Sequence, residues 1–204
     1  MDDKVTVLDV EKPSERSARG RPRSERVHQA ILQATVDVLG AVGYNSTTIE
    51  AIAARAGVGK KTIYRWWSSK AELVLEALAI ITEKRVPFPD TGSLKEDLLA
   101  YFESSFAGLQ AKSGTALSGL AAEAQLDPKF AREFQRSFIV PRKEGLVTLL
   151  KKGVERGELT SGIDLDVLGD LIYGAKWYRF LLYPAPLDSA FAREITEIIL
   201  RLKD

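Results

Sequence analysis

Five side chains within six positions carry chemistry suited to a polyanion: Lys60, Lys61, Thr62, Tyr64 and Arg65. Lysine and arginine neutralise phosphates and reach guanine edges, while Thr and Tyr hydroxyls hold phosphate oxygens. Covalent or metal chemistry is harder to assemble. The chain has no Cys, which excludes a thiolate nucleophile and a disulfide framework, and its one His28 cannot make a zinc site by itself. No nucleophile with a base, metal-ligand cluster or phosphate-cradling glycine loop is legible, and Gly57-Val58-Gly59-Lys60 is too short for a P-loop. The reading is a binding protein with no cofactor and no metal, not an enzyme.

Charge is distributed to match. Residues 12–70 hold eleven Lys/Arg against four acids, whereas residues 71–204 hold seventeen against twenty. A basic segment on a neutral-to-acidic body predicts that one end meets nucleic acid. No apolar run approaches the length a bilayer requires, and MDDKVTVLDVEKPSER lacks the basic start and apolar core of a signal peptide. The expected home is therefore the cytoplasm, with no membrane partner.

The elements that must position the cationic cluster read as short helices. From Ser24, Val27, Ile31, Ala34, Val38 and Val42 recur at helical spacing until Gly43 stops the run. Thr47 with Glu50 forms a capping-box pattern, so a second helix starts near Thr48, carries Ile49, Ile52, Ala53 and Ala56 inward, and stops at Gly57. After the Val58-Gly59 turn a third helix runs from Lys60 to about Trp67, with Ile63 and Trp66 or Trp67 facing the core. Ser69 with Glu72 opens a fourth helix through about Arg85, closed by Pro87 and Pro89. Two short helices across a glycine turn have helix-turn-helix form. Spacing alone leaves an ordinary helical hairpin with a solvated basic face equally open.

The segment Thr47 to Leu73, TTIEAIAARAGVGKKTIYRWWSSKAEL, within Ser24 to Leu78, resembles the DNA-binding domain of the TetR family of repressors. The resemblance implies that Lys60, Lys61 and Thr62 meet bases or adjacent phosphates. It further implies that Tyr64 contacts phosphate, that Lys70 clamps the backbone at the start of helix four, and that Thr48 makes a phosphate contact from helix two. Arg65 is carried with the same helix. Gly59 departs from the Ser cap that many members carry, which removes a side-chain acceptor but keeps a tolerated residue. Ahead of this domain, Arg19-Gly20-Arg21-Pro22-Arg23 resembles an AT-hook, an extended segment that lies in narrow A·T minor grooves. The alternative for Arg19, Arg21 and Arg23 is a basic tail that adds sequence-independent attraction.

Beyond Ser93 the pattern stays helical. Ser93 caps a helix to about Lys112 with Leu94, Leu98, Tyr101, Phe102, Phe106 and Leu109 at core spacing. Thr115–Gln125 reads as a short helix. Asp127-Pro128 starts another, bearing Phe130, Phe134 and Phe138, with a kink near Pro141. The last two helices, about Leu165–Leu182 and Ser189–Leu202, are apolar enough to need cover on two sides. They predict a homodimer through Leu168, Ile172, Ala175, Phe191, Ile195, Ile198 and Leu202, with Gly169 and Gly174 permitting close backbone approach; the last two helices of TetR-like proteins usually do this. The alternative is that they form the monomer's own core. Tyr101, Phe102, Phe106, Phe134, Phe138, Tyr173 and Trp177 line a possible pocket for an apolar or aromatic effector, or are simply core. Glu123 is a solvated position or a polar anchor in that pocket.

The expected fold is all-α: a three-helix helix-turn-helix domain over residues 23–69, preceded by a flexible basic arm over 1–22. A helical ligand-binding and dimerisation bundle over 70–204 follows, with 70–85 as the connecting helix. The expected function is operator-DNA binding as a homodimer, relieved by a small apolar or aromatic effector. A constitutive or architectural DNA-binding regulator without an effector is the alternative.

Overall fold

The computed structural model of the protein describes residues 20–111, 114–183 and 185–203, with side chains from Ser24 onward. Ten α-helices make up these residues, and no strand occurs among them. Helix α1 spans Gly20–Ser46, α2 Ile49–Ala56, α3 Lys60–Tyr64 and α4 Lys70–Arg85. Then come α5 (Leu94–Gln110), α6 (Thr115–Leu126), α7 (Pro128–Phe134) and α8 (Val140–Glu155), followed by α9 (Leu165–Trp177) and α10 (Ser189–Leu200).

Helix ends follow local chemistry. At Gly43 the backbone turns to φ 74°, ψ 174°, a region essentially reserved for glycine, and the regular part of α1 ends there. Gly57 closes α2 in the left-handed region at φ 67°. The α2 cap differs by one residue from the sequence expectation: Thr48, not Thr47, accepts from the Ala51 amide at 3.1 Å. Thr47 instead turns inward, fully buried, and its hydroxyl donates to the Gly43 carbonyl at 2.7 Å. A buried polar side chain needs a partner more than an exposed amide does, since water serves the latter. Ser69 caps α4 as expected, accepting from the Glu72 amide at 3.1 Å, and Glu72 reaches back to the Ser68 amide at 2.7 Å. Asp127 caps α7 ahead of Pro128.

The start of α1 differs more. It begins at Gly20, four residues before Ser24, so residues 20–22 belong to the helix and not to the arm. Pro22 permits this, because a proline in a first helical turn gives up an N–H that would be unsatisfied anyway. The extended backbone of the minor-groove reading is therefore not the conformation of residues 20–23. Arg19, the rest of the arm, and the side chains of Arg21 and Arg23 lie outside the described residues.

Two apolar clusters organise the molecule. The smaller joins Ile31, Ile52, Ile63 and Trp67 to Leu73 and Ala77 of α4. The larger joins α5 to α10 and also takes Ala71, Val74, Leu75 and Leu78 of α4, with Leu39 and Tyr44 of α1. Each fully buried Leu or Ile contributes about 1.5–3 kcal/mol, so α4 is anchored firmly to both clusters. The kink expected near Pro141 is a π-helical turn, Gln135–Ile139, immediately before it. A second one, Tyr178–Leu182, prolongs α9. No helix among the described residues is long and apolar enough to cross a membrane.

Candidate DNA interface and effector cavity

Helix α3 presents its cations and hydroxyls outward because Ile63 and Trp67 are drawn inward. Ile63 is fully buried, whereas Lys60, Lys61 and Arg65 are exposed and Tyr64 is 54% exposed. An aromatic side chain left that open on a basic helix is available to a phosphate or sugar edge. The underside is pinned by Trp67, whose Nε1 donates to Glu76 of α4 at 2.7 Å. His28 Nε2 meets the same carboxylate at 3.0 Å, and its ring stacks on Trp66 at 4.3 Å. Helices α1, α3 and α4 are thus tied at one carboxylate.

The proposed contact residues sit on one surface but are not all idle. Lys60 Nζ pairs with Glu50 at 2.9 Å. The hydrogen bond from Lys60 holds the Glu50 carboxyl below its usual range, and Glu50 raises Lys60 in return. Both are solvent-exposed, so the pair is weak and yields readily to phosphate. Thr48 uses an oxygen lone pair for the α2 cap and keeps its O–H to donate. Lys70 donates to the Tyr44 carbonyl at 3.0 Å and lies over the Tyr44 ring at 4.2 Å, with further N–H groups to spare. Tyr44 in turn packs on α6: a Cβ built on Gly119 would fall 2.2 Å from its Cδ1. Burial, helped by the nearby Glu123 charge, pushes the Tyr44 hydroxyl up to about 12. Glu123 itself is exposed and is not among the residues lining the bundle cavity, which fits the solvated reading.

The bundle contains a cavity walled by α4 (Leu78, Ile81, Thr82, Arg85), α5 (Ser105, Gly108, Leu109) and α6 (Leu117), with Phe138, Ile139, Arg142, Tyr173, Lys176 and Trp177 closing it. It encloses about 700 Å³ counting its open mouth, and much of that space is narrow. Of the seven aromatics expected here, Phe138, Tyr173 and Trp177 line it. Tyr101, Phe102, Phe106 and Phe134 are buried core instead, because their α5 and α7 faces pack inward.

Its polar group is one that aromatic counting passes over. Lys176 of α9 is 7% exposed, and its Nζ donates to Ser105 Oγ at 3.1 Å and Tyr101 Oη at 3.4 Å. Tyr101 Oη donates to Tyr173 Oη at 2.9 Å, which donates to the Arg142 carbonyl at 2.9 Å. Burial pulls Lys176 below the ordinary lysine range and pushes Tyr173 above the phenol range. A signal was present in the sequence: Leu168, Ile172 and Lys176 are spaced by four and share a helix face, and the first two are buried.

The expected dimer residues divide. Leu168, Ile172 and Ile195 are buried within the chain's own bundle, and Gly169 faces Val147 of α8, so these four are corrected to core. Helix α8 covers α9 and α5 covers α10 along those faces, which the sequence pattern could not assign. Ala175, Phe191 and Leu202 are half-buried, and Ile198 is 61% exposed. The open stripe lies one position over, at Val167 (53% exposed), Leu171 (65%), Gly174 and Tyr178 (54%), spaced at four, three and four.

Fold and site together define a helix-turn-helix DNA-binding regulator with an all-helical body. Residues 31–77 match the model of bacterial regulatory proteins of the tetR family, and residues 88–199 match the tetracyclin repressor-like C-terminal domain. The chain is 38% identical over 179 residues to the uncharacterized HTH-type transcriptional regulator YdeS of Bacillus subtilis, covering 88% of this chain and 90% of that one. It is 31% identical over 184 residues to the DNA-binding transcriptional repressor TetR of Mycobacteroides abscessus, covering 90% and 94%. Among solved structures, the TetR family transcription regulator SCO0332 superposes with a TM-score of 0.79 at 30% identity, covering 87% of this chain and 98% of that one. FadR from Bacillus subtilis, solved in complex with stearoyl-CoA, shares the fold with a TM-score of 0.61 at 20% identity, covering 86% and 98%. The chain belongs to the TetR family of transcriptional regulators and binds DNA as its members do.

Proposed function

We propose that this regulator is a homodimeric repressor whose hold on its operator is loosened when a small molecule enters the bundle cavity. The observation that carries this reading is that the cavity and the helix-turn-helix unit share their walls. Helix α4 gives Leu78, Ile81 and Thr82 to the cavity and Leu73 and Ala77 to the cluster beneath α3. Helix α6 gives Leu117 to the cavity and seats Tyr44 of α1 against Gly119. A ligand shifts operator affinity only by favouring one arrangement over another. One that parts α4 from α6 displaces the helix beneath α3 and the seat of α1 together, and in a dimer this alters the spacing of the two recognition helices. Lys60, Lys61, Thr62, Tyr64 and Arg65, with Thr48 and Lys70 flanking, are assigned to the DNA contact, and the Val167–Leu171–Gly174–Tyr178 stripe with Ile198 to the dimer contact. One relative is named a repressor, and one structural neighbour was solved with an acyl-CoA, which supports this reading.

The test begins by selecting an operator from random-sequence DNA with the purified protein. Compounds that raise the melting temperature are then assayed for operator release. The expected result is that stabilising compounds free the operator. Stabilising compounds that leave operator affinity unchanged would overturn the reading.

A further inference from the structure

We infer that the cavity is built for a slender organic acid, held with its carboxylate on Lys176 and Arg142 and its apolar body along α4 and α6. This rests on reading the cavity as the effector site and names the ligand class.

A buried ammonium is among the costliest groups a fold can carry unless an anion opposes it. Lys176 is 7% exposed, and its Nζ meets no carboxylate among the described residues, only the Ser105 hydroxyl at 3.1 Å, the Tyr101 hydroxyl at 3.4 Å and the Tyr173 ring face at 4.2 Å. A second cation stands beside it. The Arg142 guanidinium lies over the Phe88 ring at 4.3 Å and 6.0 Å from the Tyr101 ring, with no ion pair among the described residues. Arg85, which is exposed, also lines the cavity, and no Asp or Glu does so among the described residues. The lining thus carries three basic side chains and no acidic one among the described residues.

Most of the other lining side chains are apolar, among them Leu78, Ile81, Leu117 and Trp177. A ligand matched to this lining is an anion with a hydrocarbon body. An amine would meet the Arg142 and Arg85 cations, and a neutral ligand would offer Lys176 no anion. Burial favours the uncharged amine in the empty cavity, whereas a carboxylate beside Nζ favours the ammonium, so binding should take up a proton.

Two skeletons test this, each as acid, alcohol and amine: octanoate, octanol and octylamine; phenylbutyrate, phenylbutanol and phenylbutylamine. Binding to the full chain is measured by calorimetry in two buffers of different ionisation heat, with labelled operator DNA followed on the same samples. The acid of at least one skeleton should bind about tenfold or more tighter than its alcohol, a gap equivalent to about 1.4 kcal/mol, with net proton uptake and no binding of the amine. Lys176→Met should erase the acid's advantage while still admitting the alcohol, which shows that its cavity is intact. Ser105→Ala should retain the advantage. Alcohols that bind as well as acids, amines that bind better, an acid preference that survives Lys176→Met, or no binding by either series would each overturn the inference. The operator readout separates the two readings. Acids that bind without releasing DNA leave this inference standing and defeat induction. Release by alcohols alone does the reverse.

Discussion

Lys60 and Lys176 are the same side chain in opposite surroundings. Lys60 stands in solvent at the head of α3, beside Lys61 and near Arg65, with Glu50 as an easily displaced partner. Lys176 stands alone in the bundle among hydroxyls and rings, with no carboxylate near it among the described residues. Exposed cations cost the fold little and act in number on a polyanion, by releasing its counterions. A buried cation costs the fold stability, acts singly, and suits one small anion. The difference teaches that basic residues in this chain serve two kinds of recognition, and that burial distinguishes them.

The comparison breaks first if the α3 cations are dispensable. Replacing Lys60, Lys61 and Arg65 together with Ala should lower affinity for operator and random DNA by about a hundredfold or more at about 0.15 M salt, and should flatten the salt dependence by about one unit per lost phosphate contact. The melting temperature should not move, because all three side chains are exposed. Fluorescence anisotropy across a salt series checks the first result, and calorimetry the second. Nearly as large is the effect expected from Leu171→Glu, which places a charge on the open α9 stripe. It should convert a dimer of twice 22.5 kDa into monomers by sedimentation, with operator affinity lost because paired half-sites need paired domains.

Lys176→Met sharpens the other half of the comparison, with a smaller effect on stability. Replacing this buried amine with an apolar side chain of similar length should stabilise the ligand-free protein near neutral pH, because burial disfavours the ammonium that a lysine carries in the unfolded chain. The sign with pH follows from the lowered pKa. Between the folded value and the ordinary 10.5, the unfolded chain holds a proton that the folded chain does not, so stability rises with pH in that window. The gap between wild type and Lys176→Met should therefore shrink as urea unfolding is followed from about pH 7 to about pH 10. A constant gap would mean that Lys176 titrates as an exposed lysine does. Smallest is Glu50→Gln: freeing Lys60 and removing a negative charge beside the DNA should tighten operator binding by about twofold to threefold at low salt, and the gain should vanish at high salt.

Much of this was legible in the sequence where chemistry is local. Gly43, Gly57, Ser69, Ser93 and Asp127 terminate or cap the helices that their neighbours predict, because a cap is decided within four residues. The face of α3 was legible too, since Ile63 must be inside for Lys60 and Tyr64 to be outside. What failed depended on packing between distant segments. Thr47 lost the cap to Thr48 because its hydroxyl is buried against Gly43. Leu168, Ile172 and Ile195 went to the monomer core because α8 and α5 supply the cover that periodicity cannot count. Lys176 reads as a polar interruption of α9, yet it shares a face with Leu168 and Ile172, and only the packed bundle reveals that face as the cavity wall.

The central claim is that the cavity and α3 are coupled through α4 and α6, and it can be tested without knowing the ligand. Gly108 lines the cavity, and a Cβ there would sit 3.5 Å from Val86 Cγ2, an ordinary contact. Gly108→Met should therefore fill the space as a ligand would. The measurement is affinity for the selected operator, paired with thermal melting of the same sample. The account predicts about tenfold weaker operator binding, within the usual range of allosteric coupling, with folding retained. A folded Gly108→Met protein that binds the operator as tightly as the wild type would contradict it.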